Sequence, residues 1–278
     1  MSLRFLFSFA SSARAAIGVA VVSALASNGA CGGDKFTAAS TLGSDGGDSD
    51  ATADAGVDDA SSLGFCATLP GKHYFCDDFD HGSVKAGWDT EAASTYGNVI
   101  SDNAASKSPP RSLEVNTSHP VTNEDTSALL QKDIGAIKSL ALEMDVLVDS
   151  YGGENDLTAI LALSLGDLQY AVTKLGASGG MFAEHLARDS GADQLFTHPL
   201  GAGFALGKWT HAKLTLVLPQ AATAGHVVMT FDGQTVLDTP LTIVALPGAS
   251  ASLVLGLHLY NATALWKIHY DNVVVDKT

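Results

Sequence analysis

The sequence is poor in positive charge. Lys and Arg together number 15 against 30 Asp and Glu, which gives a formal net charge of −15. Proteins that bind nucleic acid neutralise its phosphates with clustered Lys and Arg side chains. The composition therefore excludes nucleic acid as a partner and is more compatible with calcium or neutral sugars.

The sequence also lacks the short motifs of several large enzyme classes. It contains no P-loop, no dinucleotide-binding fingerprint and no G-x-S-x-G nucleophile elbow. Its nine histidines never take an H-x-x-x-H or His/Cys spacing that suits zinc. Nucleotide, esterase-type and zinc chemistry are therefore not indicated.

Long apolar runs are missing beyond the N-terminal segment. That segment has Arg4 and Arg14, then the twelve-residue apolar run AAIGVAVVSALA, and then small residues. This order is typical of a secretory signal, and the run is shorter than the roughly 20 residues that span a bilayer. We predict a signal peptide over residues 1–30 and an exported protein without a permanent transmembrane helix.

Cysteine is scarce, and the first of the three cysteines follows the apolar run. Cys31 lies in SNGACGG, which resembles a bacterial lipobox and implies lipidation of Cys31. Asn28 lies three positions before Cys31, where a lipobox usually has an aliphatic residue, so ordinary cleavage after residues 24–26 is an alternative. Gly32, where an aspartate would retain the protein on the inner membrane, favours an outer-membrane lipoprotein that contacts the membrane through its lipid only.

The other two cysteines, Cys66 and Cys76, lie ten residues apart. Disulfides persist in exported proteins, so we predict that these two residues are bonded. Their spacing excludes a CxxC redox or zinc site.

Residues 31–64 form a low-complexity segment of Gly, Ala, Ser, Thr and Asp. The segment has seven aspartates against one lysine and almost no bulky apolar residue. Such a composition buries too little apolar surface to offset the entropy of ordering. We predict a flexible acidic tether, because the alternative of a calcium-binding repeat would need a regular D-x-D-x-D-G spacing.

From residue 65 onward, short apolar runs alternate with turn residues. Apolar residues recur at every second position in AKLTLVL, HVVMTF, SLVLGLHLY and WKIHYDNVVV, as expected for half-buried strands. Only residues 126–138 and 181–188 have any helical character, and neither has a sustained apolar stripe. About a dozen strands with one buried face must pack sheet on sheet, so we predict an all-β antiparallel sandwich over residues 65–278.

Several segments in this region resemble the concanavalin A-like lectin/glucanase superfamily, especially its laminin-G-like jelly rolls. The shared order is a tryptophan, an alternating strand, a hairpin with Phe-Asp-Gly, a glycine-bearing strand and a last strand. Here these are Trp209, Leu214–Leu218, Phe231-Asp232-Gly233, Gly256 and Tyr270–Val275. The resemblance implies a two-sheet jelly roll, and we expect Trp209 to bury its indole between the sheets.

The same resemblance implies a structural calcium ion. In many of these jelly rolls the first and last strands are neighbours and hold the ion with acidic side chains. CDDFD and YDNVVVD would then bring Asp77, Asp78 or Asp80 near the last strand. The expected ligands are Asp78, Asp271 and Asn272; alternatively, these residues only satisfy a turn or face water.

The stretch SLALEMDVLVDS, residues 139–150, is the weak candidate for catalysis. Glu143 and Asp145 resemble the first two acids of the family-16 glycosidase motif, but the second catalytic Glu is missing. Leu147 occupies the i+4 position and Val148 the bulged position, and Asp149 follows. The favoured interpretation is an ordinary strand whose alternate apolar residues are buried and whose acids are solvated.

Aromatic and histidine side chains suggest a binding surface instead. His258 and Tyr260 share one face of a strand, and Tyr170 and His269 are further candidates that a polysaccharide lyase would recruit. Such side chains suit sugars because they combine an apolar plane with a polar edge. We predict non-catalytic recognition of glycan or protein at the cell surface, with a glycoside hydrolase or polysaccharide lyase as the alternative.

Overall fold

A computed structural model describes most of the chain from residue 64 onward. The described residues all belong to one compact unit, Leu63–Thr278. They are 64–81, 83–117, 126–153, 156–165, 168–175, 180–189, 192–220, 224–241, 250–260 and 264–278. The signal peptide, Cys31 and almost all of the tether lie outside them and stay predictions.

Within these ranges the chain forms one short helix and fifteen strands. No helix there is long and apolar enough to cross a membrane. The elements are α1 (Phe65–Thr68), β1 (Phe75–Asp77), β2 (Thr90–Ala93), β3 (Gly97–Asp102), β4 (Ser112–Thr117), β5 (Thr126–Ala136), β6 (Ser139–Ser150), β7 (Leu157–Leu165), β8 (Leu168–Leu175), β9 (Met181–Asp189), β10 (Ala192–Pro199), β11 (Trp209–Val217), β12 (Gly225–Phe231), β13 (Gln234–Leu241), β14 (Ser250–Tyr260) and β15 (Lys267–Lys277).

The strands make two antiparallel sheets. Sheet A has the order β13-β12-β11-β6-β15-β4-β3, and β1 also pairs with β15. Sheet B has the order β10-β9-β8-β7-β14-β5-β2. The predicted all-β sandwich is confirmed, and β6 at the centre of sheet A lies between two strands that are distant in sequence.

The hydrophobic core lies between the sheets and follows the period-two alternation. In β6 the side chains that belong to the core are Leu140, Leu142, Met144, Val146 and Val148, as the sequence predicts. The Tyr270 hydroxyl crosses the core and donates to the carbonyls of Ile160 at 2.8 Å and Gly256 at 3.3 Å. This contact ties β15 of sheet A to sheet B. Complete burial raises the pKa of Tyr270.

Both stretches with some helical character are strands. Residues 126–136 form β5, which pairs with β14 on one side and β2 on the other. Residues 181–189 form β9, which pairs with β8 and β10. Sheet pairing on both edges overrides local propensity here.

The expected position of Trp209 is wrong. The core-facing residues of β11 include Ala212, Leu214 and Leu216, so Trp209 has the opposite phase and lies half-buried on the outer face. The buried indoles are instead those of Trp266 and Trp88. Their Nε1 atoms donate to the carboxylates of Asp156 at 3.0 Å and Asp77 at 2.6 Å.

The predicted disulfide is confirmed. Cys66 and Cys76 are bonded, with their Cα atoms 5.8 Å apart. The bond links α1 to β1, and β1 pairs with β15 of sheet A. Such a bond is typical of an oxidising compartment outside the cytosol.

Candidate functional site

The outer face of sheet A carries polar side chains in ordered rows. In one row, Trp209 of β11 pairs with Leu147 of β6, which pairs with His269 of β15. In the next row, His211 pairs with Asp145, which pairs with Asp271. Residues that are 60 to 130 positions apart in the chain therefore become neighbours on this face.

Glu143 and Asp145 belong to a cluster of five polar residues on three strands. The Lys213 ammonium donates to Glu143 Oε1 at 2.6 Å. His211 lies between the two acids, with Nδ1 3.3 Å from Asp145 Oδ1 and Nε2 3.7 Å from Glu143 Oε2. The Asn272 side-chain amide donates to Asp145 Oδ2 at 2.9 Å. We call these residues, Glu143, Asp145, His211, Lys213 and Asn272, the Glu143 cluster.

The two carboxylates differ in burial. The Glu143 side chain is 38% exposed, as expected from the sequence, but the Asp145 side chain is only 7% exposed. Asn272 accounts for part of this difference, because it lies at an irregularity of β15, adopts φ 54° and directs its amide onto Asp145. The expectation that Asp145 is solvated is therefore wrong.

The charges of the cluster favour protonated His211. The hydrogen bond with Asp145 raises the pKa of His211, and the negative charges of Asp145, Glu143 and Asp232 add to the shift. The His211 backbone N–H donates to Asp232 Oδ1 at 2.9 Å and lowers the pKa of that carboxyl. His211 is thus better suited to act as a cation and hydrogen-bond donor than as a base.

The Glu143 cluster lacks the residue order of the retaining glycosidase motif. That chemistry needs a second free carboxyl about 5 to 5.5 Å from the first. The i+4 position holds Leu147, an apolar residue, and the Glu143 carboxylate is bonded to Lys213. Asp145 is buried against Asn272. The arrangement can offer hydrogen bonds to a ligand, and the position of the motif's second Glu holds no acid.

A second polar cluster lies across Leu147 from Trp209, around His269 of β15. It contains Asp102, Glu114, Asp149, Lys267 and His269, and we call it the His269 cluster. Lys267 Nζ lies 2.8 Å from Glu114 Oε2, and His269 Nε2 lies 3.1 Å from Asp149 Oδ2. The hydrogen bond with Glu114 raises the pKa of Lys267. The Lys267 ammonium thus offsets part of the negative charge of these acids.

His269 is fully buried within this cluster. Its ring lies 6.4 Å from that of Trp209, edge to face. The ligating atoms of Asp102, Glu114 and His269 lie within 4.8 Å of one another. Because Lys267 Nζ lies 2.8 Å from Glu114 Oε2, a metal ion at this site would compete with the ammonium for that carboxylate.

Asp78, one of the expected calcium ligands, lies in a different group. Its carboxylate is within 4.8 Å of ligating atoms of Asp77 and His81. Asp78 accepts the Cys66 backbone N–H at 3.0 Å. Burial raises the pKa of Asp77 to about 6, although its hydrogen bonds with Phe79 and Trp88 act in the opposite direction.

Asp271 and Asn272 have partners of their own. Asp271 Oδ2 accepts the backbone N–H groups of Lys107 at 2.7 Å and Ser108 at 2.9 Å, and Oδ1 accepts that of Asn272 at 2.8 Å. Burial raises the pKa of Asp271 to about 7, against the effect of these hydrogen bonds. The oxygens that calcium would need already accept hydrogen bonds, so these side chains fit the ion poorly as they stand.

The predicted ligand-binding residues lie on sheet B. His258 of β14 is half-buried and pairs with Ser127 and Ala159. The side chains of Tyr260 and Tyr170 lie outside the described part of the structure, which gives only their backbone partners, Leu157 and Leu163. These three residues therefore stay predictions, and they belong to a different sheet from Glu143.

The sequence interpretation missed the role of three residues on one strand. Trp209, His211 and Lys213 alternate with the core residues of β11, so they share the outer face. The sequence could have shown this, because successive side chains of a strand point to opposite faces. Since Leu214 and Leu216 face the core, Trp209, His211 and Lys213, which lie an odd number of residues away, face outward.

One interior cavity of the described domain is small. A cavity of about 10 Å³ lies between the sheets and is lined mainly by apolar residues, which is about the space for one water molecule. Its lining includes Met144, Ile160, Phe204 and Met229.

Comparisons of the sequence with protein-family models and with curated proteins find no match. Among solved structures, the chain is similar to an endo-β-1,4-glucuronan lyase from the fungus Trichoderma reesei, with a TM-score of 0.60 and 14% identity over 74% of this chain and 96% of that one. It is also similar to the cellulose-induced protein Cip1, with a TM-score of 0.55 and 12% identity over 73% and 97%. A structure described with endo-acting O-glycanases of the human gut microbiota has a TM-score of 0.50 and 13% identity over 74% and 100%. At these identities the likeness shows a shared β-sandwich fold.

Proposed function

We propose that this protein is an exported lipoprotein whose concanavalin A-like jelly roll binds carbohydrate without cleaving it. The observation that supports the absence of cleavage is the state of Glu143. Its carboxylate is bonded to Lys213, and Leu147 occupies the position of the second acid. Recognition therefore accounts for the polar outer face better than hydrolysis does.

Carbohydrate is the favoured ligand class because of the similar structures. Glucuronan lyase and the O-glycanases that initiate mucin breakdown act on carbohydrate, and Cip1 is induced by cellulose. Fold likeness alone carries no activity to this chain. A glycan array with the folded domain tests the proposal, and a surface protein is the partner to seek if no glycan is retained.

The binding and cleavage hypotheses separate in a paired assay. Glycans retained on the array should be incubated with the protein and followed for reducing ends and for the unsaturated products of β-elimination. Binding without either product is the expected result. Turnover that Glu143→Gln abolishes would replace this proposal with an enzymatic function.

A carbohydrate-active enzyme is the second candidate because of the contact between His211 and Asp145. A buried carboxylate next to an exposed histidine can orient it as a general base. Here Glu143 lies 3.7 Å from the other ring nitrogen, and the pKa of His211 is raised. Both features favour the protonated ring, and a protonated histidine cannot accept a proton as a general base. Catalysis is therefore a weaker candidate than simple binding.

The lipid anchor has its own test. The Cys66–Cys76 disulfide fits an exported protein, and lipidation of Cys31 is the proposed anchor. The full-length protein expressed in a bacterium that processes lipoproteins should partition into detergent, and Cys31→Ser should move it to the aqueous phase. If both proteins partition equally, the proposal that Cys31 carries a lipid anchor is wrong.

Calcium binding by Asp78, Asp271 and Asn272 stays a proposal from the sequence resemblance, and the hydrogen bonds that Asp271 already accepts count against it. An ion bound only to the folded state would raise the melting temperature by mass action. Calorimetry with added calcium and with a chelator compares the two states. An unchanged melting temperature would remove calcium from the account.

A further inference from the structure

We propose that the carbohydrate site is the outer face of sheet A around Trp209, and that its ligand is a neutral oligosaccharide. This rests on the carbohydrate recognition proposed above and adds the place and the ligand class. It differs from the sequence-based expectation, which placed the site at His258, Tyr260 and Tyr170 on sheet B.

The first step concerns the position of the Trp209 ring. β11 and β15 flank β6 on opposite sides, so the backbones of Trp209 and His269 lie roughly 9.6 Å apart, or two strand spacings. Their ring centroids are only 6.4 Å apart. The two rings therefore lean toward each other across Leu147, which explains why this outward-facing leucine is just 7% exposed.

The second step concerns what the ring presents to solvent. Trp209 covers Leu147 and yet remains half-buried rather than buried. An indole held against a sheet with one part accessible is a ready apolar platform, and the apolar faces of pyranose rings pack on such surfaces.

The third step concerns the polar groups on either side of this platform. His211 and Lys213 follow Trp209 on the same face of β11, and Asp149 follows Leu147 on the same face of β6. Positions two apart on a strand are separated by roughly 6.6 Å. The Glu143 cluster therefore lies on one side of Trp209 along the strand direction and Asp149 on the other, while His269 lies in the same row as Trp209. These groups are within reach of the hydroxyls of a ligand seated on the indole.

The fourth step concerns charge. Each of four carboxylates on this face has a nitrogen of Lys or His within ion-pair distance: Glu143 with Lys213, Asp145 with His211, Glu114 with Lys267 and Asp149 with His269. Paired groups still donate and accept hydrogen bonds, but they offer no surplus cation to an anionic polymer. Hydroxyl groups of a neutral sugar match such a surface, whereas polyuronates do not.

Tryptophan fluorescence provides a direct readout of occupancy. The chain has three tryptophans, and Trp88 and Trp266 are buried, so acrylamide should quench Trp209 selectively. A bound neutral oligosaccharide, for which β-linked glucan and xylan oligosaccharides are the probes, should protect this component. Trp209→Phe should remove the quenchable component before any ligand is added.

Variants test whether Trp209 contributes to affinity. Trp209→Ala should weaken binding of a neutral oligosaccharide by about tenfold or more, as for an aromatic residue at the centre of a contact. Trp209→Phe keeps an apolar cover over Leu147 and should lose less affinity. Val217→Ala, on the same face of β11 and 40% exposed, is the matched control and should bind as the unaltered protein does.

The outcomes separate this inference from the proposed function. Glycan binding that survives Trp209→Ala and Trp209→Phe but is lost in His258→Ala would keep the function and move the site to sheet B. Preferential binding of alginate or glucuronan oligosaccharides would overturn the neutral ligand class. If no glycan binds the unaltered protein, the proposed function fails and this inference fails with it.

Discussion

The Asn272 amide reaches across from β15 and donates a 2.9 Å hydrogen bond to Asp145 Oδ2 on β6. On the other side of Asp145, His211 of β11 contacts Oδ1 at 3.3 Å. One carboxylate thus joins three adjacent strands of sheet A on its outer face. This contact holds His211 in place next to Trp209 and gives Asp145 a structural role that its sequence position does not reveal.

Removal of the Asp145 carboxylate should destabilise the domain. Asp145→Ala leaves the buried Asn272 amide without its acceptor, and a buried group that loses its partner costs about 1 to 3 kcal/mol. The free energy of unfolding in urea measures the loss. His226 and Asp238 form a comparable pair at 2.8 Å on the same sheet, but Asp238 is 60% exposed.

Asp238→Ala is therefore the control for Asp145→Ala. Exposed ion pairs contribute about 0 to 1 kcal/mol, so this variant should unfold close to the unaltered protein. Equal losses of unfolding free energy in the two variants would show that the buried contact between Asn272 and Asp145 contributes nothing beyond an exposed ion pair.

The stability of the domain should depend on the protonation of Asp271. Burial raises the pKa of Asp271 from 3.8 to about 7, so the folded state holds this proton more tightly than the unfolded state does. The stabilisation is fully present below about pH 4 and is lost as the pH rises toward 7. Each unit by which the folded-state pKa exceeds the unfolded-state pKa adds about 1.4 kcal/mol to the free energy of unfolding at low pH.

Asp271→Asn tests this pH dependence. The difference in unfolding free energy between the unaltered protein and the variant should fall as the pH rises from about 4 to 7. Asp77, with a pKa raised to about 6, contributes a similar slope to both proteins and cancels in the difference. A difference that grows with pH would contradict the raised pKa of Asp271.

Gly256 should tolerate no side chain. Its φ is +130°, and a Cβ atom there would lie 2.1 Å from the carbonyl oxygen of Ala128 on the neighbouring strand β5. Strain and overpacking together predict a loss of about 3 kcal/mol or more for Gly256→Ala. Denaturant unfolding, or the yield of folded protein, measures the effect.

Gly233 provides the comparison for Gly256. It also has a positive φ, +78°, but nothing lies within 4 Å of a Cβ atom. Gly233→Ala should therefore cost only the strain of the left-handed backbone, about 1 to 2 kcal/mol. Similar losses at both positions would mean that β5 can move away from Gly256 at little cost.

The disulfide should stabilise the domain through its loop. Cys66 and Cys76 are separated by ten residues, and closing such a loop restricts the unfolded chain by about 2 to 3 kcal/mol. The double variant Cys66→Ser/Cys76→Ser should lose about this much in urea unfolding. A reductant should lower the stability of the unaltered protein and leave the double variant unchanged; a reductant effect on both would point to another cause.

Much of the fold follows from local patterns. The alternation of Leu140, Leu142, Met144, Val146 and Val148 is visible in the sequence, and these residues are the buried side of β6. The Cys66–Cys76 pair was predictable because an exported chain with two nearby cysteines has few other options. Residues 126–136 and 181–189 were less clear, since each needs strand partners on both sides to define it.

The candidate site was less accessible to sequence analysis. The acids of β6 were evident, but the neighbours that decide their chemistry lie on β11 and β15. The expected burial of Trp209 conflicts with the phase of Leu214, which already places the indole on the outer face. Asp145 was expected in solvent because the irregularity of β15, which turns Asn272 onto it, leaves no periodic signal.

Local sequence pattern was sufficient for the all-β class, the disulfide and the side of most strands that faces the core, because burial of alternate apolar residues is a local, period-two property. It was not sufficient for the contacts of Lys213, His211 and Asn272 with the acids of β6, or for the lean of Trp209 toward His269 over Leu147. These contacts depend on which strands are adjacent. Adjacency is set by packing of the whole sandwich rather than by any short stretch of the chain.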